Sequence, residues 1–417
     1  MINKTVINKL KPKNWDTLQK NLEEIKNRLR KENRKSSKIN KIELNINIQE
    51  EKIVYEDTTK PKKKASIKEI KAQEEKLLAE SIEKAGVDYS QIKEKKNNKL
   101  NKARKAKNDE FYTRLCDVEN ELAHYTEHFK DKVVLCNCDD PYYSEFWKYF
   151  KDRFETLELK KLIGTHYDNK NLPSYAIEFS RDEKYTLSYR DSETLRELYS
   201  ATAFDLDSIS DCKIHWLNGN GDFRSEECLK YLKECDIVVT NPPFSLFGEF
   251  IGVMNIHSKK FITIGDLNSI TYKEVFPLIL SNKIWSGYSH PKEFNTKFNG
   301  GDIRKFGNKM WFTNLEIKKR YEDLILYKEY SLEDYPKYDN YDAINVDKVK
   351  DIPLDYYGVM GVPITFLDKY NPNQFEIVGW TIKGMCNVEF KDLGTSNPMI
   401  CGKSKYKRLF IKRKISN

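Results

Sequence analysis

Asn241-Pro242-Pro243-Phe244 directly follows the apolar run Asp236–Thr240, which reads as a buried strand. The four residues suit one demanding reaction, methylation of an exocyclic amine. The nitrogen of such an amine is a poor nucleophile because its lone pair is delocalised into the base ring. An Asn241 side-chain oxygen and the Pro242 backbone carbonyl can accept the two amine hydrogens, favouring a pyramidal nitrogen as it attacks the methyl group of a sulfonium donor. Proline fixes φ and preorganises the turn. Phe244 offers a face on which a base drawn from a duplex stacks. The competing reading makes Asn-Pro-Pro a loop breaker and Phe244 a core residue. Position argues against it, because the strand ends of a doubly wound sheet are where catalytic loops sit. Cytosine C5 methylation needs a cysteine nucleophile, commonly after a proline, and the sequence has no Pro-Cys pair.

The elements that must hold this loop form an α/β pattern. Lys132–Asn137, Leu159–Gly164, Ile214–Asn218, Asp236–Thr240 and Phe261–Gly265 read as buried strands. Amphipathic stretches at Ser144–Phe154, Ser225–Lys233, Leu246–Asn255 and Tyr272–Leu280 separate them, which predicts a mostly parallel sheet with crossover helices. Each strand runs into a polar or special segment: CDDP, THYD, GNGDF, NPPF and GDLNS. Residues 169–213 form an insertion of mixed charge without strong periodicity. From about residue 315 the chain turns Tyr- and Asp-rich with Pro and Gly punctuation, and reads as a second, less regular unit.

At 417 residues the chain exceeds one small domain, and its 39% hydrophobic content supports a packed core. Charge locates the remainder. Residues 1–100 hold 26 Lys+Arg against 16 Asp+Glu, whereas residues 101–417 hold 47 against 48. The basic excess is therefore all amino-terminal, in an arm with helical stretches at 15–33 and 67–86 that can grip phosphates or act as a solvated tether. Lys102, Arg104, Lys105 and Lys107 extend it without an acidic residue, as expected for a backbone contact. No apolar run reaches a membrane span and the amino terminus has no signal-peptide character, so a soluble intracellular protein is expected. The eight scattered cysteines fit reduced thiols. His124 and His128 stand one helical turn apart, but no further ligands accompany them, so no metal is expected.

Four segments together carry a resemblance: KNDEFYT (107–113), DKVVLCNCDDP (131–141), NGNGDFRS (218–225) and DIVVTNPPFSLF (236–247) resemble the adenine-specific DNA methyltransferase EcoRI family. NSITYKEVF (268–276), YPKYDNYDAINV (335–346), KDIPLDYYGVMGVPITFL (350–367) and NPNQFEIVGW (371–380) extend it over most of residues 101–417. The resemblance implies a Rossmann-like, S-adenosylmethionine-dependent methyltransferase sheet in a catalytic domain at 101–315. A carboxy-terminal DNA-recognition region at 316–417 and a basic, helical amino-terminal arm at 1–100 complete the implied architecture. The implied substrate is an adenine flipped out of duplex DNA, methylated at N6.

Asn241, Pro242, Pro243 and Phe244 are then the catalytic residues. Tyr112 and Thr113 are similar to the amino-terminal cofactor motif, where backbone and a Thr hydroxyl meet the methionine carboxylate; Phe111 and Tyr112 as core aromatics are the alternative. Cys136–Pro141 takes the place of the first cofactor loop, but without its usual glycines. Cys138, Asp139 and Asp140 are its candidate contacts, with Asp139 or Asp140 holding the cofactor's amino group or capping a helix. Asp222 and Phe223 match the pair that meets the cofactor's adenine, against the alternative of a tight turn with a capping Asp. Asp168, Asn268, Ser269 and Trp311 are weaker site candidates, and Arg304 is one geometric option for reading guanine.

The family implies duplex DNA as partner, a cognate restriction endonuclease beside the gene, action as a monomer, and a cytoplasmic, nucleoid-associated location. Methylation of RNA or of a protein glutamine amide is the nearest alternative. A non-catalytic DNA-binding protein retaining the fold is the alternative from a different class.

Overall fold

A computed structural model of the chain describes 45–49, 52–56, 111–138, 140–167, 174–198, 209–296, 302–381 and 388–415. The expected helices at 15–33 and 67–86, the Lys102–Lys107 cluster, Asp139 and Asp168 lie outside the described residues. The chain divides into two units, Met1–Lys68 and Glu69–Asn417. In the first, β1 (Asn45–Gln49) and β2 (Lys52–Glu56) form an antiparallel hairpin.

The second unit is a mixed α/β structure. It opens with β3 (Tyr112–Thr113) and helix α1 (Leu115–Leu122), followed by β4 (Val133–Cys136), helix α2 (Glu145–Asp152), β5 (Lys161–Thr165) and β6 (Tyr175–Ser180). Helix α3 (Tyr189–Leu198), β7 (Lys213–Trp216), α4 (Glu226–Glu234), β8 (Ile237–Thr240), α5 (Phe247–Ile256) and β9 (Lys260–Asp266) come next. Then follow α6 (Phe276–Leu280), β10 (Trp285–Ser286), β11 (Glu293–Asn295), β12 (Ile303–Lys305) and β13 (Lys309–Thr313).

The main sheet has eight strands in the order β10-β13-β9-β8-β4-β5-β6-β7. Its centre, β5-β4-β8-β9, is parallel, and every other pairing is antiparallel. The expectation of a mostly parallel sheet thus holds only for the centre. The insertion at 169–213 supplies β6, which runs between β5 and β7 and reverses direction at that edge. Alternation along the central strands buries both faces. Val133 and Leu135 point into one apolar cluster, Val134 and Cys136 into the other; Val238 divides from Ile237 and Val239 in the same way.

Helix α2 shows why its segment folds. Ser144 caps it by accepting from the Trp147 amide at 3.4 Å, and Phe146, Trp147, Tyr149 and Phe150 are buried. Each such side chain contributes about 1.5–3 kcal/mol. The cap is Ser144 rather than a residue of the Asp139-Asp140 pair.

Past residue 315, β14 (Ile344–Asn345), β15 (Met360–Val362), β16 (Phe375–Trp380) and β17 (Leu409–Arg413) form a four-stranded sheet in the order β14-β15-β17-β16. Its Ile344, Met360, Phe375 and Ile411 share one apolar cluster with Phe247, Phe250 and Phe276 of the main-sheet helices. The regions on either side of residue 315 are therefore joined by a continuous core.

Candidate active site

The chain runs from β4 to β5 on one side and later returns as β8 on the other, so β4 and β8 are neighbours at the switch in strand order. The loops leaving their carboxyl ends, 137–144 and 241–246, flank that point. Asn241 follows β8 immediately. Its Nδ2 donates to the Phe111 carbonyl at 2.7 Å, and its Oδ1 is buried without a hydrogen-bond partner among the described residues. The amide thus has a fixed orientation with its acceptor unused, an arrangement that costs about 1–3 kcal/mol until something donates to it.

Pro242 is buried, and Pro243 (φ −52°) opens a single 3-10 turn, Phe244–Leu246, closed by the Leu246 amide donating to the Pro243 carbonyl at 2.8 Å. Phe244 lies in an aromatic cluster. Phe111 stacks beside it at 6.0 Å, while Phe294 and Phe306 present edges at 6.2 and 6.4 Å. The Lys309 ammonium sits 3.7 Å from the ring centroid. Lys309 also pairs with Asp266 at 3.1 Å, and burial pushes its pKa below the ordinary lysine value despite that carboxylate.

Tyr112 and Thr113 form the short β3, which pairs with β11; β11 in turn pairs with β12. The hairpin is pinned by Glu293, which binds both Arg114 and Lys305. Thr113 Oγ1 is buried and unpartnered among the described residues. Cys138 is half-buried, its thiol 3.6 Å from Asn137 Oδ1.

Asp140 is nearly buried. Its Oδ1 accepts from the Tyr142 amide at 2.9 Å and from the Tyr175 hydroxyl at 3.4 Å, and His166 Nε2 stands 3.4 Å from Oδ2. Tyr175 and His166, which stack on each other at 5.1 Å, were not among the sequence candidates. Tyr175 begins β6, so its role was hidden with that strand.

Asp222 turns back on its own loop. Arg224 donates through its backbone N–H and Nε to Oδ1, both at 2.9 Å, and through Nη2 to Oδ2 at 2.6 Å. Arg224 also reaches Glu249 of α5, and these carboxylates raise its pKa further. The cap of α4 is Ser225, not Asp222. Phe223 is buried against Phe250 at 5.6 Å. Gly221, with φ +76°, brings the turn so close to the loop after β5 that a Cβ would lie 1.9 Å from the His166 carbonyl oxygen.

Of the weaker candidates, Ser269 is buried with its hydroxyl unpartnered among the described residues, whereas Trp311 belongs to the core beneath the sheet against Phe146 at 6.0 Å. Arg304 lies 5.5 Å over the Phe111 ring. His124 stacks on Tyr288 and His128 bonds the Glu316 carbonyl, so the helical His pair serves packing. Burial pushes the Cys228 thiol up to about 11 and the Cys235 thiol to about 12, away from nucleophilic use.

Around this end of the sheet, Thr113 Oγ1, His166 Nδ1, Thr240 Oγ1, Asn241 Oδ1 and Ser269 Oγ are all buried without partners among the described residues. Such groups are ordinarily satisfied, so these five leave hydrogen-bonding capacity open near the carboxyl ends of the central strands. A cleft of about 450 Å³ opens beside it, lined by Leu267, His290, Phe306, Asn308, Lys309 and Asp368, among others.

Comparison with known proteins fixes the family. The model of the family described as "Adenine-specific methyltransferase EcoRI" matches residues 99–414. The chain belongs to the adenine-specific methyltransferase EcoRI family. Within it, the chain is similar to the Type II methyltransferase M.EcoRI of Escherichia coli, 48% identical over 337 residues that cover 76% of this chain and 97% of that protein. It is also similar to M.MgeORF184P of Mycoplasma genitalium, 37% identical over 345 residues covering 75% of this chain and 98% of the relative. M.MpnI of Mycoplasma pneumoniae is 36% identical over 343 residues, 76% of this chain and 98% of its own. No solved structure matches the chain. Because nearly the whole of each relative fits within about three quarters of this chain, the stretch before residue 99 is additional to the family match.

Proposed function

We propose that this protein transfers a methyl group from S-adenosylmethionine to the N6 amine of an adenine flipped out of duplex DNA, at one short sequence, as the modification enzyme of a restriction-modification system. The observation that carries the reading is the Asn241 amide, which is anchored through its nitrogen and holds a buried acceptor without a partner among the described residues, immediately after β8.

In this reading the sheet is of the Rossmann-like methyltransferase type. Residues 316–417 form the target-recognition region and residues 1–100 a basic arm. The bound cofactor supplies an electrophilic methyl group on a charged sulfur. The chain's own residues do the rest. Asn241 Oδ1 and the Pro242 carbonyl accept the two amine hydrogens and draw the lone pair out of conjugation. Phe244 takes the base on its ring.

The unpartnered Thr113 hydroxyl, the Asp140 carboxylate and the Asp222 turn, with Tyr112, Cys138 and Phe223 beside them, fit a ligand bearing a carboxylate, an amine and a nucleoside. Asp222 is held by Arg224, which fixes the direction of its carboxylate. Duplex DNA is the partner, a cognate endonuclease acts on the same sequence, and the enzyme works as a cytoplasmic monomer. Among the described residues, no helix is long and apolar enough to cross a membrane.

The test is sequencing that detects methylated adenine in DNA from cells expressing the protein. Methylation at every copy of one short sequence is expected, with none in cells expressing Asn241→Ala. DNA without methylated adenine refutes the reading.

A further inference from the structure

The ring on which the target base is to stack is already covered. Phe244 has Phe111 stacked against it and the Lys309 ammonium 3.7 Å from its centroid, and only 7% of the residue is exposed. A base stacking on that ring must displace one of the two. The Phe111 ring is hemmed in, with Phe306 packed edge-on against it at 4.8 Å and the Arg304 guanidinium 5.5 Å over it. Lys309 can move. Its side chain is a flexible four-carbon stem rooted at the start of β13. Its side chain is almost fully buried, yet among the described residues its one hydrogen-bond acceptor is Asp266 Oδ2, which Asn308 Nδ2 also engages, at 2.7 Å. A buried ammonium has three donors, so this one is held by a single carboxylate and by the faces of Phe244 and Phe306, the latter at 4.9 Å. The 450 Å³ cleft next to it, in whose largely apolar lining His290, Asn308 and the Asp368 carboxylate stand, gives the ammonium room to move into.

We propose that Lys309 is a gate on the stacking face of Phe244: in the DNA-free enzyme its ammonium occupies the place of the target base, and base capture requires it to swing into the adjoining cleft. The proposal rests on the base-flipping reading above. Lys309 is a positioning residue in this scheme, since it sets how readily the base reaches Phe244 and takes no part in methyl transfer. A desolvated ammonium over an aromatic face is held by at least about the equivalent of a tenfold equilibrium shift, and the gate lowers the capture of any base by that factor.

The experiment uses the full-length protein and a duplex carrying the sequence found by methylation mapping, with 2-aminopurine in place of the target adenine, whose fluorescence rises when it leaves the stack. Lys309→Ala is expected to raise the flipped-to-stacked ratio about tenfold. Lys309→Arg, which keeps a cation over the ring, is expected to restore the wild-type ratio. Should Lys309→Ala fail to fold, Lys309→Gln carries the same comparison against Lys309→Arg. An unchanged or lower ratio in the uncharged variant, or an arginine variant that behaves like it, overturns the gate. Absence of methylated adenine in cellular DNA instead sinks the parent reading, so the two failures are distinguishable.

Discussion

Asn241 and Phe111, 130 residues apart in the chain, are joined by a 2.7 Å hydrogen bond in which the asparagine amide donates to the phenylalanine carbonyl. The bond ties the loop after β8 to the strand that leads into α1. It also fixes which end of the amide is left to meet a substrate. A side-chain amide rotated by half a turn would present donors to the amine and could not accept its hydrogens.

The Asp222 turn gives a prediction about the cofactor. Arg224 holds the carboxylate from three donors, so the turn is rigid and the acceptor direction is set. Asp222→Ala should weaken S-adenosylmethionine binding at least about tenfold, as expected for losing a charge-assisted hydrogen bond. Calorimetry on the purified variant measures this. An unchanged dissociation constant would leave the turn with a structural role alone.

Gly221 predicts a cost in folding. Its φ of +76° disfavours any side chain, and a Cβ would stand 1.9 Å from the His166 carbonyl oxygen. Gly221→Ala should lose more than about 2 kcal/mol in urea unfolding, combining left-handed strain with displacement of the loop after β5. A loss under about 0.5 kcal/mol would mean that the two loops are not locked together.

Glu178 predicts a pH dependence. Burial pushes its pKa up, but the His215 ring, 3.5 Å away, and the Lys161 ammonium, 2.9 Å away, outweigh burial and leave it at about 2 against an ordinary 4.5. The folded state therefore holds the proton less tightly than the unfolded state. Its contribution is complete above pH 4.5 and is lost as pH falls through about 2. Glu178→Gln should be less stable than wild type near neutrality, and its stability should fall less steeply between those limits. Urea titrations at a series of pH values separate the two; parallel curves would contradict the assignment.

The stretch ahead of residue 99 lies outside the family match and carries the basic excess. Removing residues 1–98 should preserve methyl transfer at saturating DNA, weaken DNA affinity at moderate salt, and make the plot of log affinity against log salt shallower. Filter binding across a salt series measures the affinity and the slope, and a methyl-transfer assay at saturating DNA measures the first. An unchanged slope would assign the arm to tethering or to another partner.

The parallel centre of the sheet and the position of the Asn241 loop at its strand ends were legible in the sequence because local signals carry them. Strands such as Val133–Cys136 and Ile237–Thr240 are short apolar runs between turn residues, and Asn-Pro-Pro-Phe stands where the second ends. Tyr175–Ser180 escaped notice because it lies in a charged insertion, although its first four residues are all buried. Lys309 was equally hidden: a lysine at the head of a strand reads as solvated, and only the fold brings Asp266, Phe244 and Phe306 around it. The Phe111–Asn241 bond uses a backbone carbonyl, a group every residue has, so no residue type announces it. The engagement of Asp222 by Arg224, two positions on, was readable in principle, but a short polar turn offers many such pairs.

The most direct measurement is single-turnover methyl transfer by Asn241→Ala, alongside its DNA dissociation constant. Removing one preorganised acceptor from a transition state costs about 2.7–4 kcal/mol, or roughly a hundred- to a thousandfold in rate. The predicted result is a loss of that size or greater, with DNA affinity within about tenfold of wild type, because the interaction strengthens only as the nitrogen becomes pyramidal. Transfer retained to within a few-fold of wild type would contradict the role given to Asn241.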